Sequence, residues 1–101
     1  MALTLKAVTS CMGYQQITSL SSATGLTVPT RDPQGNKKQP TFALIIAETQ
    51  DVRWRDDGTA PTASVGMPLA KGTMLQYDGD LANIKFIEQT GSAKLNVSYY
   101  Y

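Results

Sequence analysis

The stretch Thr41-Phe-Ala-Leu-Ile-Ile-Ala-Glu48 decides the fold class of this chain. Its apolar side chains would occupy both faces of a pleated strand, because successive residues of a strand point to opposite sides. A short apolar run of this kind is typical of a strand buried in the middle of a sheet. The sequence before and after this stretch predicts further short strands.

Downstream, the apolar residues alternate with polar ones, as in strands with one dry and one wet face. Val52 and Trp54 alternate with charged residues, and a further strand is predicted within 81–88. The last strand places one apolar set opposite one polar set: Leu95, Val97, Tyr99 and Tyr101 against Lys94, Asn96, Ser98 and Tyr100. A short strand is also predicted at 73–77, whereas 60–69 is interpreted as irregular.

Upstream, strands are predicted at 3–9 and 14–20. The segment from Pro29 to Pro40 contains three prolines and Gly35, so it predicts a long exposed loop rather than a helix or a central strand. Gly-containing turns separate the downstream strands, and no window shows a sustained helical period. Regular short strands suggest a sandwich, a jelly roll or a small barrel. We expect an all-β fold, a single jelly-roll-like β-sandwich domain over residues 1–101 with about seven or eight short antiparallel strands.

Composition narrows the possible functions. The formal net charge is +1, without the basic footprint of a nucleic-acid-binding protein. The longest apolar run, 43–47, is too short to span a membrane, and the N-terminus lacks the pattern of a signal peptide. The single cysteine, Cys11, cannot form an internal disulfide, which suits folding in a reducing cytosol. We expect it to be a small buried residue.

The residues needed for common catalytic chemistry are missing. There is no histidine, so a serine or cysteine triad and an ordinary zinc site are not available. Most acidic residues stand in or beside glycine-containing turns, where a carboxylate bonds to its own backbone. The clusters around Gly58 and Gly79 lack the ligand spacing of a dedicated calcium site. The sequence predicts a protein that is not an enzyme and binds no cofactor or metal. The enzymatic alternative would need two of these carboxylates to face each other across a cleft, as in a glycosidase.

The stretch Val52-Arg-Trp-Arg-Asp-Asp-Gly58 carries the first candidate interface residues, Arg53 and Arg55. Both arginines would share one strand face and could clamp carboxylates of a partner. In the alternative interpretation they pair with nearby aspartates. Trp54 would then fill the core, or it could serve as a platform on which a sugar stacks.

The C-terminal residues Tyr99, Tyr100 and Tyr101 complete the candidate interface. Tyrosine is enriched at interfaces because its ring buries a large area while its hydroxyl stays hydrated. The period of two places Tyr99 and Tyr101 with the apolar face and Tyr100 with the polar face. Either the cluster contacts a partner, or it is the end of the core.

The runs VRWRDDGTAPTASVGMPLAKG (52–72) and LANIKFIEQTGSAKLNVSYYY (81–101) resemble a group of small virion proteins of tailed bacteriophages. The resemblance covers residues 41–101 well and residues 1–40 loosely, and it concerns turns and strands rather than functional residues. It implies a β-sandwich or jelly-roll component of the particle. A head decoration, or cement, protein is the first expectation, and a tail or adaptor component is the second.

The resemblance also implies the partners. We expect the protein to bind the major capsid protein or other virion proteins, to form a homo-oligomer and to lie on the capsid surface after synthesis in the host cytoplasm. We expect the Pro29–Pro40 loop and the N-terminal arm to reach over neighbouring subunits. A carbohydrate- or receptor-binding module on a tail is the alternative from another class.

Overall fold

The computed structural model describes residues 10–101. They form eight β-strands and no helix, which confirms the predicted all-β class. No helix that could cross a membrane occurs in this range. The strands are β1 (Cys11–Ile17), β2 (Thr24–Gly25), β3 (Phe42–Glu48), β4 (Val52–Arg55), β5 (Met67–Leu69), β6 (Met74–Tyr77), β7 (Lys85–Glu88) and β8 (Lys94–Tyr100).

The strands form two four-stranded antiparallel sheets. The first sheet has the order β1-β8-β3-β6, and the second has the order β2-β7-β4-β5. In each sheet early strands pair with late ones, so β1 pairs with β8, β2 with β7, β3 with β6 and β4 with β5. The predicted central position of the stretch 41–48 is confirmed, because β3 lies between β8 and β6.

One hydrophobic core joins the inner faces of both sheets. The period of two is strict in the central strands: every second residue of β3 and β8 is at most 1% exposed. These inward residues are Ala43, Ile45 and Ala47 of β3 and Leu95, Val97 and Tyr99 of β8. Val52 and Phe86 of the second sheet, each 0% exposed, belong to the same core. Burying a large apolar side chain stabilises a fold by about 1.5–3 kcal/mol, so this shared interior holds the sheets together.

Several strands differ from the sequence predictions. The predicted strand 3–9 lies outside the described residues, and β1 begins at Cys11 rather than Tyr14. The segment 81–84 is a turn, in which the Asn83 N–H donates to the Asp80 carbonyl at 3.0 Å, so β7 begins only at Lys85. The region interpreted as irregular contains β5, which pairs with β4 despite Pro68.

The Pro29–Pro40 loop is exposed over most of its length but has a defined conformation. Its centre is Asp32, which is only 7% exposed. One carboxylate oxygen of Asp32 accepts the backbone N–H groups of Gln34 at 3.0 Å and Asn36 at 2.8 Å. An isolated bridge between Arg31 and Lys37 closes the loop, so the charged side chains around its tip are carried on a fixed turn.

Candidate functional site

The largest apolar side chains of β3 point away from the core. Its inward residues are two alanines and Ile45, whereas Phe42, Leu44 and Ile46 face outward and are half-buried. Strand neighbours extend this surface with Met74 of β6 and Tyr100 of β8. We call these five residues the outer apolar face. Within residues 10–101 no further layer covers it, because the elements of that range form only the two sheets.

Strand register makes the outer apolar face continuous. Phe42 lies opposite Tyr100, and their ring centroids are 5.8 Å apart at an interplanar angle of 54°. Ile46 lies opposite Met74 on the other side of β3, and Leu44 stands between them in the strand. Cross-strand neighbours of this kind are in van der Waals reach. Leu44 itself lies opposite Gln76 and Ser98, so the apolar surface runs along β3 and widens at Phe42 and at Ile46, where the cross-strand neighbours Tyr100 and Met74 join it.

A polar margin borders the outer apolar face along β1 and β8. Asn96 accepts hydrogen bonds from the Tyr14 hydroxyl and from the Gln16 amide, the latter at 3.1 Å. The Asn96 amide in turn donates to a Glu48 carboxylate oxygen at 2.9 Å. Tyr14 is nevertheless 64% exposed. An apolar centre with a hydrogen-bonded polar rim is the general anatomy of a protein–protein interface.

Cys11 belongs to this same surface, and the expectation that it is buried is wrong. Its side chain is exposed, its register partner is Tyr100, and its Sγ lies 3.8 Å from the Ser98 Oγ. The reason is a register shift between Cys11 and Gly13, which places Met12 in the core at 4% exposure. An irregularity of one residue reverses the facing of the neighbouring side chain.

The three C-terminal tyrosines have three different environments. Tyr99 is 1% exposed and donates a hydrogen bond from its hydroxyl to Gln15 Oε1 at 2.7 Å. Burial raises the pKa of Tyr99 to about 12. Tyr100 lies on the outer apolar face, as its position in the strand predicts. Tyr101 packs partly against the core, and the Lys38 ammonium lies 5.3 Å from its ring centroid.

The two candidate arginines lie on the outer face of the second sheet, and both have partners within the chain. Arg53 donates from Nε to the Ala63 carbonyl at 3.2 Å and from Nη1 to the Gly66 carbonyl at 2.9 Å. The predicted pairing with an aspartate is therefore wrong for Arg53. It is confirmed for Arg55, which binds both carboxylate oxygens of Asp57. This hydrogen bonding lowers the pKa of Asp57.

The candidate residues thus do not converge on one site. The inner faces of the two sheets share a core, so the surface with Tyr100 and the surface with Arg53 and Arg55 point away from each other. Among residues 10–101, the outer apolar face has no covering element, whereas the guanidinium groups already have acceptors.

Trp54 lines an open cleft of about 520 Å³ between the end of β4 and the start of β5. The cleft is lined by the residues that follow Trp54 in the chain, Arg55, Asp56 and Asp57, and by Val65, Gly66 and Met67. We call this the Trp54 cleft. The indole packs edge-on against Tyr77, with ring centroids 6.0 Å apart, so the expectation that Trp54 fills the core is met only in part.

Several acidic residues accept backbone N–H groups, either within a turn or from another part of the chain. Asp57 accepts the Thr59 N–H, Asp80 accepts the Ala82 N–H, and Asp51 accepts the Lys71 N–H. Within residues 10–101 there is no group of three acidic, histidine or cysteine side chains that could hold a metal ion.

Comparisons with known proteins add no relative. No family model, no curated protein and no solved structure matches the chain. The resemblance to virion proteins of tailed phages is therefore neither supported nor contradicted by them, and function has to be inferred from the surfaces themselves.

Proposed function

We propose that this protein is a non-enzymatic structural component of a tailed-phage virion, a head decoration protein that binds and bridges major capsid subunits. The observation that carries the proposal is the outer apolar face. Phe42, Leu44 and Ile46 occupy a central strand, where folding alone does not require large outward apolar residues. Contiguous exposed apolar surface marks sites of protein–protein contact.

We further infer that the fold is a jelly roll. The pairing of β1 with β8, β2 with β7, β3 with β6 and β4 with β5 supports it. This is the pattern of one long antiparallel hairpin rolled into two sheets, which is how eight strands make two Greek keys. Lectin and viral capsid domains both use this architecture, so the fold alone does not choose between a decoration protein and a sugar-binding module.

The size of the outer apolar face suits a contact that is strengthened by assembly. Even the whole outer surface of the first sheet, taken as four strands spaced by about 4.8 Å with seven residues rising about 3.4 Å each, covers only roughly 450 Å², and the outer apolar face is a part of it. A stable standard-size interface buries about 800 Å² on each partner. One face alone would therefore bind weakly. A protein that touches two capsid subunits gains from the high effective concentration of the second site.

The Pro29–Pro40 loop is the element that we expect to make the second contact. Arg31, Lys37 and Lys38 outnumber Asp32 there, so the loop is basic, and Asp32 holds its turn in place. A preformed loop loses less conformational entropy on binding than a mobile one. We propose the major capsid protein as its partner and the capsid surface as its location, with a homo-oligomer as the assembled form.

Co-sedimentation with shells assembled from the major capsid protein tests the proposal. We expect stoichiometric binding to shells and little binding to free capsid subunits, because only the shell offers two neighbouring subunits. Leu44→Lys should reduce the amount bound at least tenfold. Ile87→Lys is the matched control: it places the same charge at a half-buried position on the outer face of the second sheet and should bind normally.

Each remaining outcome assigns a different role. Equal affinity for free subunits and shells would contradict bridging. Binding to tails or connectors instead of shells would support the tail or adaptor alternative, and binding only to cell-surface glycans would support the carbohydrate-binding alternative. If Leu44→Lys and Ile87→Lys both bind like the unaltered protein, the outer apolar face is not the contact surface.

A further inference from the structure

The Trp54 cleft has an apolar wall that folding has left exposed. Met67 is 57% exposed and Val65 is 53% exposed. Both lie beside Trp54, which is itself only partly buried, so three apolar side chains line one opening. Covering this apolar surface with an apolar group of a partner is favourable, with a free energy of about 25 cal/mol for each Å² removed from water.

The charged residues that line the cleft are Arg55, Asp56 and Asp57. Arg55 neutralises Asp57 through two hydrogen bonds, whereas Asp56 has no cationic partner among residues 10–101. One oxygen of Asp56 accepts the Tyr77 hydroxyl at 2.7 Å. The residues that line the cleft therefore carry one net negative charge. Arg53 does not offset it, because its guanidinium is held by the carbonyls of Ala63 and Gly66.

We propose that the Trp54 cleft binds a basic side chain, lysine or arginine, presented by a protein partner. Such a side chain combines an apolar stem with a charged head. The stem would lie along Val65 and Met67, while the head would reach the carboxylate of Asp56 and the indole of Trp54. Cations are attracted to the face of tryptophan more strongly than to other aromatic rings.

The edge of β5 favours insertion of a side chain over addition of a strand. β5 is an outermost strand of the second sheet, so its free edge could in principle pair with an extended peptide. Pro68 lies at its centre and has no N–H to donate. Proline at an edge strand discourages pairing with another chain. A partner would therefore be recognised through the cleft rather than through the backbone of β5.

Trp54 is the only tryptophan of the chain, so its fluorescence reports directly on the cleft. The probes are three capped octapeptides made of glycine and serine with one valine. The residue next to the valine is arginine in the first peptide, citrulline in the second and glutamate in the third. Citrulline keeps the shape of arginine without its charge. We expect a saturable emission change with the arginine peptide, about tenfold weaker binding of the citrulline peptide, no response to the glutamate peptide, and weaker binding at high salt.

Two matched variants distinguish the contribution of Asp56 from the effect of the overall charge. Asp56→Asn keeps an acceptor for Tyr77 and should weaken binding of the arginine peptide about fivefold. Asp78→Asn removes the same charge from an exposed residue that does not line the cleft and should change nothing. Met67→Ser should weaken the arginine and citrulline peptides alike.

Three results would overturn the proposal. One is equal affinity for arginine and citrulline peptides, and another is the absence of saturation with the arginine peptide. The third is an emission change caused by a neutral tetrasaccharide and not by the peptides, which would make Trp54 a sugar platform. Binding of a basic side chain in the cleft does not depend on which assembly the protein joins. None of these results therefore tests shell binding through the outer apolar face.

Discussion

The outer faces of the two sheets use opposite chemistry. On the first sheet, Phe42, Leu44 and Ile46 are large and apolar, and no layer formed by residues 10–101 covers them. On the second sheet, Arg53 and Arg55 are charged, yet each is held by acceptors of its own chain. Charged residues that look available in a sequence can thus be structural, while an apolar strand that looks internal can supply a surface. Surfaces are better recognised by missing partners than by residue type.

The largest effect is expected where the first sheet changes from inner to outer face, at Tyr99 and Tyr100. Tyr99→Ala should lower the free energy of unfolding by about 3–5 kcal/mol, as for other buried aromatic truncations. Tyr100→Ala should cost about 1 kcal/mol, mainly through its contact with Phe42. Urea denaturation of both variants measures the difference. A larger loss for Tyr100→Ala than for Tyr99→Ala would invert the assignment of the faces.

A smaller effect is expected on the outer face of the second sheet, where Arg53 and Arg55 should stabilise the fold. Arg53→Ala removes two hydrogen bonds to carbonyls of the 56–66 loop and should cost about 1–2 kcal/mol in urea denaturation. Arg53→Lys should not restore stability, because an ammonium cannot reproduce the planar fork of donors. Arg55→Ala should cost less than Arg53→Ala, since its ion pair is solvent-exposed. If stability is unchanged but shell binding is lost, Arg53 is an interface residue.

A further effect is a loss of stability at alkaline pH. Burial raises the pKa of Tyr99 to about 12 and raises that of Tyr77 as well, with Asp56 adding to the second shift. The unfolded chain loses these protons near pH 10. Stability is therefore full below pH 10 and falls as the pH rises toward 12, because only the unfolded state has released the protons.

Denaturation at pH 9 and pH 11 measures this loss, and absorbance at 295 nm follows ionisation of the tyrosines. Tyr99→Phe keeps the ring and removes one of the two groups, so its stability should fall less between the two pH values. Equal stability of the unaltered protein at pH 9 and pH 11 would show that these hydroxyls are not shielded from water.

The sequence predicts the alternation of β8, because a half-buried strand has a direct signature, and it predicts β3 from a continuous apolar run. β3, β4, β6 and β8 are found close to where the pattern predicts them. It does not predict β5, since Pro68 and Gly66 are ordinary marks of a loop. The edge position of β5 explains the exception: an edge strand loses nothing there by lacking an N–H.

The surfaces were harder to predict than the strands. The two-sided apolar pattern of 41–48 is compatible both with burial on both sides and with one exposed face, and only the sheet arrangement distinguishes them. The sequence offers carboxylates of a partner or nearby aspartates as acceptors for Arg53, because backbone carbonyls of a distant loop are not visible in it. The exposure of Cys11 depends on a register shift that no pattern in the sequence predicts.

Cys11 offers the most direct test that the outer apolar face is the contact surface. It is the only cysteine, it is exposed, and it lies opposite Tyr100. The measurement is the rate of maleimide labelling of the free protein and of the shell-bound protein. The control is a Cys11→Ser variant that carries Ile87→Cys on the second sheet. We expect shells to slow labelling of Cys11 at least tenfold and to leave the control unchanged. Labelling of Cys11 at the same rate with and without shells would contradict the proposed interface.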